Sequence, residues 1–226
     1  MWAAVRVDER IVKLLLEREN INLDFVSPKD GRTALTLAAK DGHEGVAKLL
    51  LERKNINPNV ADTKHGLTPL LWAAYRGHEG VVKLLLERND TNPHIADLKH
   101  GRTPLRWAAL SGHQGVVKLL LDREDINPSV ADTEHGRTPL GWAAAGGHRG
   151  VVNLLLLRRD INLNIADRTY GRTPLMLAAM YGHEGLFKLL LERESENCDI
   201  TALRGQSSFM AAVRRIGRDC TTTPST

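Results

Sequence analysis

The sequence has few of the features on which metal binding, secretion or membrane insertion depends. Its two cysteines, Cys198 and Cys220, lie near one end of the chain without motif spacing, so neither a disulfide framework nor a metal cluster is indicated. No apolar run approaches the roughly 18 residues of a membrane helix, and the first residues lack the basic-then-apolar pattern of a secretion signal. We therefore expect a cytoplasmic or nuclear protein without membrane contact.

Motifs of catalysis are also missing. The sequence contains no G-x-x-x-x-G-K-[ST] phosphate loop, no H-E-x-x-H zinc helix and no G-x-S-x-G elbow. A catalytic centre needs a nucleophile, base or carboxylate pair in a unique local arrangement, whereas nearly every polar residue here recurs at a fixed interval. We therefore predict that the chain is not an enzyme and binds no cofactor or metal.

What the sequence has instead is a repeat. A phrase that reads GRTAL, GLTPL or GRTPL recurs every 35 residues. It begins at Gly31, Gly66, Gly101, Gly136 and Gly171. A period of about 20 to 50 residues is typical of arrays in which each small unit buries its apolar face only against its neighbours. The chain is therefore predicted to be a stack of five full units.

Each unit reads as two short helices and a connection. In residues 101–135, Thr103 is suited to cap a first helix and Pro104 to be its first residue. Gly112 ends that helix after about two turns, and a second apolar helix continues to about Arg123. The remaining residues favour turns, which predicts an extended connection or hairpin to the next unit.

The combination of TPL, WAA or LAA, GHEG or GHQG, VVKLLLER and INPN resembles the ankyrin repeat over nearly the whole chain. The family period is about 33 residues, so the connection is predicted to be slightly longer here. The resemblance implies an all-α solenoid of stacked antiparallel helix pairs with β-hairpin-like connections. The tryptophans after TPL resemble those of the long repeats common in fungal multi-repeat ankyrin proteins. The family's TPLH histidine is replaced by Thr36, Leu71, Arg106, Gly141 and Met176.

The period also sets the predicted boundaries. They are a truncated repeat (1–30), five repeats (31–65, 66–100, 101–135, 136–170 and 171–205), a degenerate C-terminal cap (206–218) and a disordered tail (219–226). Whether the truncated repeat is itself a cap or the end of a longer array stays open. Three glycines in one short stretch, Gly141, Gly146 and Gly147, predict a local weak point in the fourth full repeat.

Residues that recur in register are interpreted as structural. Equivalent histidines on neighbouring units would lie about 8 to 10 Å apart, far more than the distances to one zinc ion allow. The recurring asparagines, such as Asn57 and Asn92, are predicted to form hydrogen bonds within the connections. Trp72, Trp107 and Trp142 lie at repeat spacing beside apolar residues, so they are predicted to belong to the core rather than to a platform for nucleic-acid bases.

Candidate binding residues lie where the units differ. In the ankyrin family the hairpin tips and the ends of the first helices form the concave surface. Carried over, these positions are Tyr75, Arg76, Leu110, Met180 and Tyr181 at helix ends and His100, Arg102, His135, Arg137 and Arg172 at hairpins. Apolar and aromatic residues surrounded by arginine are typical of protein-binding hot spots. The alternatives that these arginines are simply solvated, or that a partner uses the convex side, stay open.

The resemblance and the charge together favour a protein partner. The formal net charge is +4 and the pI is about 9.2, with basic residues in excess at the concave positions. We expect a monomeric, non-catalytic scaffold or adaptor that binds an acidic protein segment. The alternative is a recognition tail or regulatory subunit of a larger signalling or transcription-regulatory assembly. Direct nucleic-acid binding would need a denser basic stripe.

The 35-residue period predicts an elongated particle. Small-angle X-ray scattering should therefore give a radius of gyration clearly above the roughly 17 Å expected of a compact globule of this length. A compact sphere of the same mass would contradict the repeat interpretation.

Overall fold

The computed structural model describes residues 9–18 and 21–196. Within them it contains eleven α-helices and no β-strand, and none of these helices is long and apolar enough to cross a membrane. The helices are α1 (Glu9–Leu16), α2 (Ala34–Asp41), α3 (Glu44–Leu51), α4 (Pro69–Arg76), α5 (Glu79–Leu86), α6 (Pro104–Ser111), α7 (Gln114–Leu121), α8 (Pro139–Ala145), α9 (Arg149–Leu156), α10 (Pro174–Met180) and α11 (Glu184–Glu196). The predicted C-terminal cap and tail lie outside the described residues.

The first helix of each unit, which we call the inner helix, begins as the sequence predicts. Thr103 has an extended backbone, and its hydroxyl accepts a hydrogen bond of 3.2 Å from the Arg106 N–H. Pro104 occupies the first turn of α6, where its missing N–H leaves no gap in the helical hydrogen bonds. Gly112 ends the helix with a left-handed backbone (φ 76°). The predicted start and end of this helix are confirmed.

The second helix of each unit, the outer helix, is shorter than predicted. In unit 101–135 it ends at Leu121 and not near Arg123. Its apolar stripe of Val116, Val117 and Leu120 is fully buried against the inner helix and the neighbouring outer helices. Inner helices pack on inner helices and outer on outer, so that one continuous core runs from Val12 to Leu190.

Histidine joins consecutive inner helices. The imidazole Nε2 of His113 lies 3.1 Å from the carbonyl oxygen of Tyr75, the end of the preceding inner helix. The same contact recurs for His78, His148 and His183, at 2.9 to 3.1 Å. A Cβ at Gly77 would lie 2.5 Å from the His113 ring, so glycine is required for this approach. These histidines therefore serve the stack.

Arginine joins consecutive outer helices. The guanidinium of Arg88 donates to the carbonyl oxygens of Leu51 and Arg53, at 2.7 and 2.9 Å. Arg158 repeats this contact with Leu121 and Arg123, at 3.1 and 3.2 Å. Leu51 and Leu121 are the last residues of α3 and α7, so their carbonyls have no intrahelical donor, and Arg53 and Arg123 lie in the turns that follow. The next unit therefore caps the helix before it.

The connections are hairpin-like turns. The Asp62 N–H donates to the Leu67 carbonyl at 3.0 Å, and the Gly66 N–H donates to the Asp62 carbonyl at 2.9 Å. Adjacent hairpins are tied by a bond of 3.0 Å from the Thr63 N–H to the Asp30 carbonyl. The recurring asparagines close local turns, as where the Asn57 side chain accepts from Asn59 N–H at 2.9 Å. Their predicted role inside the connections agrees with this geometry.

The glycine-rich inner helix α8 ends one residue earlier than α6. Gly141 is buried in its first turns, and an added Cβ would meet nothing closer than 3.5 Å. Gly147, in contrast, has a left-handed backbone (φ 72°), and its Cβ would lie 2.7 Å from the His183 ring. The two glycines therefore differ in whether a side chain can replace them.

We expect Gly141→Ala to raise the free energy of unfolding by about 0.5 to 1 kcal/mol, because alanine restricts the unfolded chain and fits the helix. Gly147→Ala is the matched control and should lower it by about 1 kcal/mol or more. Urea denaturation measures both changes. A loss of stability in Gly141→Ala would contradict this expectation and show that the helix does not accommodate a methyl group at this position.

Candidate functional site

Aromatic side chains form a ladder along the hairpin side of the inner helices. The aromatic ladder consists of Trp72, Tyr75, Trp107 and Trp142. The ring centres of Trp72 and Tyr75 are 6.2 Å apart, and those of Tyr75 and Trp107 are 4.7 Å apart. The guanidinium of Arg106 connects the last two rings, because its carbon lies 4.9 Å from the Trp107 ring centre and 4.4 Å from that of Trp142.

The prediction that the tryptophans belong to the core is confirmed for Trp72 and corrected for Trp107 and Trp142. Trp72 is buried (5 % exposed) but packs in a separate small cluster with Leu67 and Leu71. Trp107 and Trp142 are only partly buried. The reason is helical geometry: Trp107 lies about half a turn around the helix from Leu105, which faces the core, so its ring is directed to the hairpins.

Cations cover the rings of the ladder. Arg102 lies 4.9 Å from the centre of Trp107, and Arg137 lies 4.7 Å from that of Trp142, each from a hairpin position five residues earlier. Trp72 is covered instead by Arg32 of the preceding unit, at 5.2 Å. Guanidinium groups and aromatic faces attract one another, and the attraction strengthens where water is excluded. The hairpin arginines are thus parts of the ladder and not isolated surface charges.

In two of the units, a buried aspartate fixes the position of the tryptophan ring. Asp62 accepts one bond from the His65 N–H and one from the Trp72 indole N–H, both at 2.6 Å. Asp132 does the same for His135 N–H at 2.7 Å and the Trp142 indole at 2.6 Å. One carboxylate therefore fixes both the hairpin turn and the ring.

In the last hairpin Arg137 replaces the indole. Its guanidinium is buried (8 % exposed) and donates two bonds of 3.2 Å to Asp167. Burial raises the pKa of Asp167, but hydrogen bonds from the Tyr170 and Arg172 N–H groups and from Arg137 outweigh it and hold that pKa below its ordinary value. Arg137, a predicted binding residue at a hairpin, is therefore buried against Asp167 rather than exposed.

The hairpin that opens unit 101–135 departs from this pattern. Asp97 accepts the His100 N–H at 2.6 Å, but its second oxygen and the Trp107 indole nitrogen are both buried without a hydrogen-bond partner among the described residues. The nearest cation to that oxygen is Arg102, whose Nε lies 3.9 Å away. The hydrogen bond from indole to aspartate, which Trp72 and Trp142 both make, is therefore absent at Trp107.

The same unit buries a charged residue. Arg106 is 2 % exposed, and its Nε and one terminal nitrogen have no hydrogen-bond partner in the described part of the chain. Its nearest carboxylate, Asp132, is 3.7 Å from Nε and already accepts two shorter bonds. Burial, and next the charge of Arg102, lower the pKa of Arg106 to about 10, so it stays protonated at neutral pH.

Sequence reasoning missed the role of Arg106 and recorded it only as a departure from the family histidine. A signal was available. The other units hold Thr36, Leu71, Gly141 and Met176 at this register, all of them uncharged. All four are buried, so a charged residue there indicates a special environment.

The other predicted site residues fall into two groups. Around the third hairpin, Arg102 donates to Glu134, and His100 Nδ1 lies 3.2 Å from the same carboxylate. His135 packs edge-on against Trp142, with ring centres 5.4 Å apart. Arg102 and His135 thus lie against the rings of Trp107 and Trp142.

The second group lies at the ends of inner helices. Tyr75 turns into the ladder, with Arg76 over its ring at 5.5 Å, and Leu110 is partly buried at the same register in the next unit. Met180 and Tyr181 are exposed at the end of α10. Arg172 is not among them: it packs on Tyr170 at 3.9 Å in the last hairpin. Of the predicted helix-end residues, Tyr75 and Arg76 therefore belong to the ladder, and Met180 and Tyr181 are exposed.

The described residues contain no group of three or more histidine, cysteine, aspartate or glutamate side chains that could hold a metal ion.

Sequence comparison matches residues 1–97 and 89–167 to the family profile described as ankyrin repeats in three copies, and residues 170–203 to a single ankyrin repeat. A crystal structure of the ankyrin repeat protein EF0377 is similar, with a TM-score of 0.76 and 26% identity over 84% of this chain and 94% of that one. Curated proteins gave no significant match.

A pair of double-mutant cycles tests the open position. Trp72→Phe combined with Asp62→Asn should show a coupling energy of about 1 to 2 kcal/mol. Each single substitution removes the same indole–carboxylate hydrogen bond, so the double variant loses less stability than the sum of the two. Trp107→Phe combined with Asp97→Asn should show a coupling near zero, since that bond is absent. Equal couplings in the two units, measured by chemical denaturation, would contradict the assignment.

Proposed function

Because the chain belongs to the ankyrin repeat family, whose repeats are generally protein–protein interaction modules, we propose that it is a non-catalytic scaffold or adaptor. It binds its partner along the concave face, which carries the aromatic ladder. The partner contributes an acidic segment. The observation that carries this proposal is the ladder itself, an unbroken series of rings and cations across three units.

The composition of this face supports a protein partner. Tryptophan, tyrosine and arginine are the residues most enriched among binding hot spots, and here they are already ordered by contact with one another. Ordered side chains lose little conformational freedom when a partner binds. Tyr181, which is 51 % exposed at the end of the last inner helix, offers a further aromatic side chain.

The charges support an acidic segment. Arg32, Arg102 and Arg137 are already paired with Asp30, Glu134 and Asp167, but Arg106, between the rings of Trp107 and Trp142, has two guanidinium nitrogens without a hydrogen-bond partner among the described residues. Opposite charge on the partner would speed association and disfavour basic competitors. The alternative that we propose is that the segment belongs to a larger signalling or transcription-regulatory assembly, of which this chain is the recognition tail or regulatory subunit.

Direct nucleic-acid binding is less well supported. A phosphate backbone needs a stripe of cations that can each exchange water and counterions for phosphate. Arg102 and Arg137 are instead engaged with Glu134 and Asp167 within the chain. We propose a monomer that acts in the cytoplasm or nucleus and does not bind nucleic acid directly.

Affinity capture followed by binding measurements on the captured partner tests the face. Tyr181→Ala should weaken binding by about 1 to 3 kcal/mol, as hot-spot truncations do, with little change in melting temperature because the ring is exposed. Arg102→Glu should mainly slow association and flatten its salt dependence. Tyr75→Ala should lower both affinity and stability, because its ring packs on Trp107.

Leu157→Glu is the matched control. Leu157 is 75 % exposed at the end of outer helix α9, away from the ladder. It should leave partner binding unchanged. Loss of binding in Leu157→Glu, with Tyr181→Ala and Arg102→Glu unaffected, would place the interface on the convex side and overturn the proposal.

A further inference from the structure

The junction between units 66–100 and 101–135, here called the central junction, lacks three hydrogen bonds that the junctions on either side of it have. The first is the bond between adjacent hairpins. It is made by the Thr63 N–H before the central junction and by the Thr133 N–H after it, at 3.0 and 2.9 Å. Leu98 has the same register, but its N–H makes no such bond within the described residues, and its side chain is 88 % exposed.

The second missing bond joins the turns that follow the outer helices. The Asn59 side chain accepts from the Asn92 N–H of the next unit at 2.8 Å, and Ser129 accepts in the same way one junction after the central one, at 3.0 Å. At the central junction the residue of this register is His94. It accepts no bond from the Asn127 N–H in the part of the chain that the structure describes.

The third missing bond is the arginine cap of the preceding outer helix. Arg88 and Arg158 donate to carbonyls at the end of that helix and in the turn that follows it. Arg123 has their register, but among the described residues it donates only to Asp125, at 2.9 and 3.0 Å. Its side chain is 36 % exposed, against 18 % for Arg88 and 20 % for Arg158. The next unit therefore leaves the end of α5 uncapped.

The inner helices still join the two units at the central junction. His113 Nε2 lies 3.1 Å from the Tyr75 carbonyl, and the Tyr75 ring packs on Trp107 with ring centres 4.7 Å apart. The outer helices α5 and α7 also remain in contact through their apolar stripes. The junction is thus fixed by hydrogen bonding along the inner helices, and apolar packing, which is not directional, holds the remainder.

We propose that the central junction is a hinge, at which residues 31–100 and 101–196 change their relative angle about the line of the inner helices. Hydrogen bonds constrain both distance and direction, whereas apolar contacts tolerate small sliding movements. The aromatic ladder crosses the hinge at Tyr75 and Trp107, so their contact is the pivot. The hinge goes beyond the proposed function, because it sets the curvature of the concave face whether or not a partner is bound.

His94 accounts for two of the three missing bonds. Its Nε2 lies 3.2 Å from the Asp125 carboxylate of the next unit, and that carboxylate accepts both bonds from Arg123. Asp90 is held by Arg88 alone among described side chains, and Arg88 reaches the carbonyls of the preceding helix. His94 therefore holds Asp125, and with it Arg123, away from the helix end. It also lacks the amide oxygen that accepts at the preceding junction.

Distances between two spin labels test the hinge in the full chain. Cysteine replaces Glu52 and Leu157, which are exposed directly after the outer helices α3 and α9, and serine replaces Cys198 and Cys220. The pair encloses the central junction and one fully bonded junction on each side. Three steps of about 8 to 10 Å put the labelled positions roughly 25 to 30 Å apart. Pulsed electron–electron double resonance measures how widely this distance is distributed.

His94→Asn copies Asn59 and should narrow the distribution, because the Asn127 N–H regains an acceptor and Arg123 is released to cap α5. The His94 side chain is 51 % exposed, so this change leaves the core intact. Asn59→His is the matched inverse and should broaden the distribution, because it loosens a second junction. Lys64→Gln, at an exposed hairpin residue, is the control and should leave the width unchanged.

Amide hydrogen exchange shows whether the bond itself has returned. The Asn127 N–H should exchange about five- to tenfold more slowly in His94→Asn than in the wild type, as expected for one additional hydrogen bond. The Asn92 N–H should exchange faster by a similar factor in Asn59→His, because its acceptor is removed.

The hinge is supported only if His94→Asn narrows the distance distribution and Asn59→His broadens it. An unchanged or broader distribution in His94→Asn overturns the proposal, even where the Asn127 N–H becomes protected, because the restored bond would then not limit any motion. An unchanged distribution in Asn59→His overturns it as well. No partner takes part in these measurements, so their outcome is separate from that of the partner-binding test.

Discussion

Each helix pair of this protein can bury its apolar face only against the next pair, and the rest of the structure depends on this constraint. A two-helix unit of 35 residues has too little core to be stable alone. The histidine contacts between inner helices and the arginine caps between outer helices both extend from one unit to its neighbour. Neither contact has a partner inside its own unit, so both form only when the stack forms.

The same constraint leaves one side of the inner helices unused by the core. The outer helices cover the apolar stripe, and the hairpins approach the opposite side, where the tryptophans lie. A large aromatic ring there is held by an aspartate from the hairpin and an arginine above it. The fold therefore produces an ordered aromatic and cationic surface as a by-product of stacking. This surface is not uniform along the stack, because unit 101–135 contains a buried arginine, Arg106, and a Trp107 indole that donates to no aspartate.

Much of the fold could be predicted from the sequence because its signals are local. Thr103, Pro104 and Gly112 set the ends of an inner helix through backbone preferences that do not depend on distant contacts. The site was less predictable. Tyr75 and Met180 occupy the same register of their inner helices, yet Tyr75 packs on Trp107 of the next unit and Met180 is exposed. Arg137 and Arg102 occupy the same register, yet Asp167 buries only Arg137.

The sequence by itself determined the repeat, the order of helix, turn and helix, and the family, because these follow from periodicity and short-range preferences. Only the tertiary structure decided that Trp107 and Trp142 leave the core and that their neighbour Arg106 is buried between them. It also decided which of the buried donors find an acceptor. Pairing of this kind depends on distances between groups from different units, and a one-letter pattern holds no record of them. The sequence thus specified which groups recur, and packing decided which of them are paired within the chain.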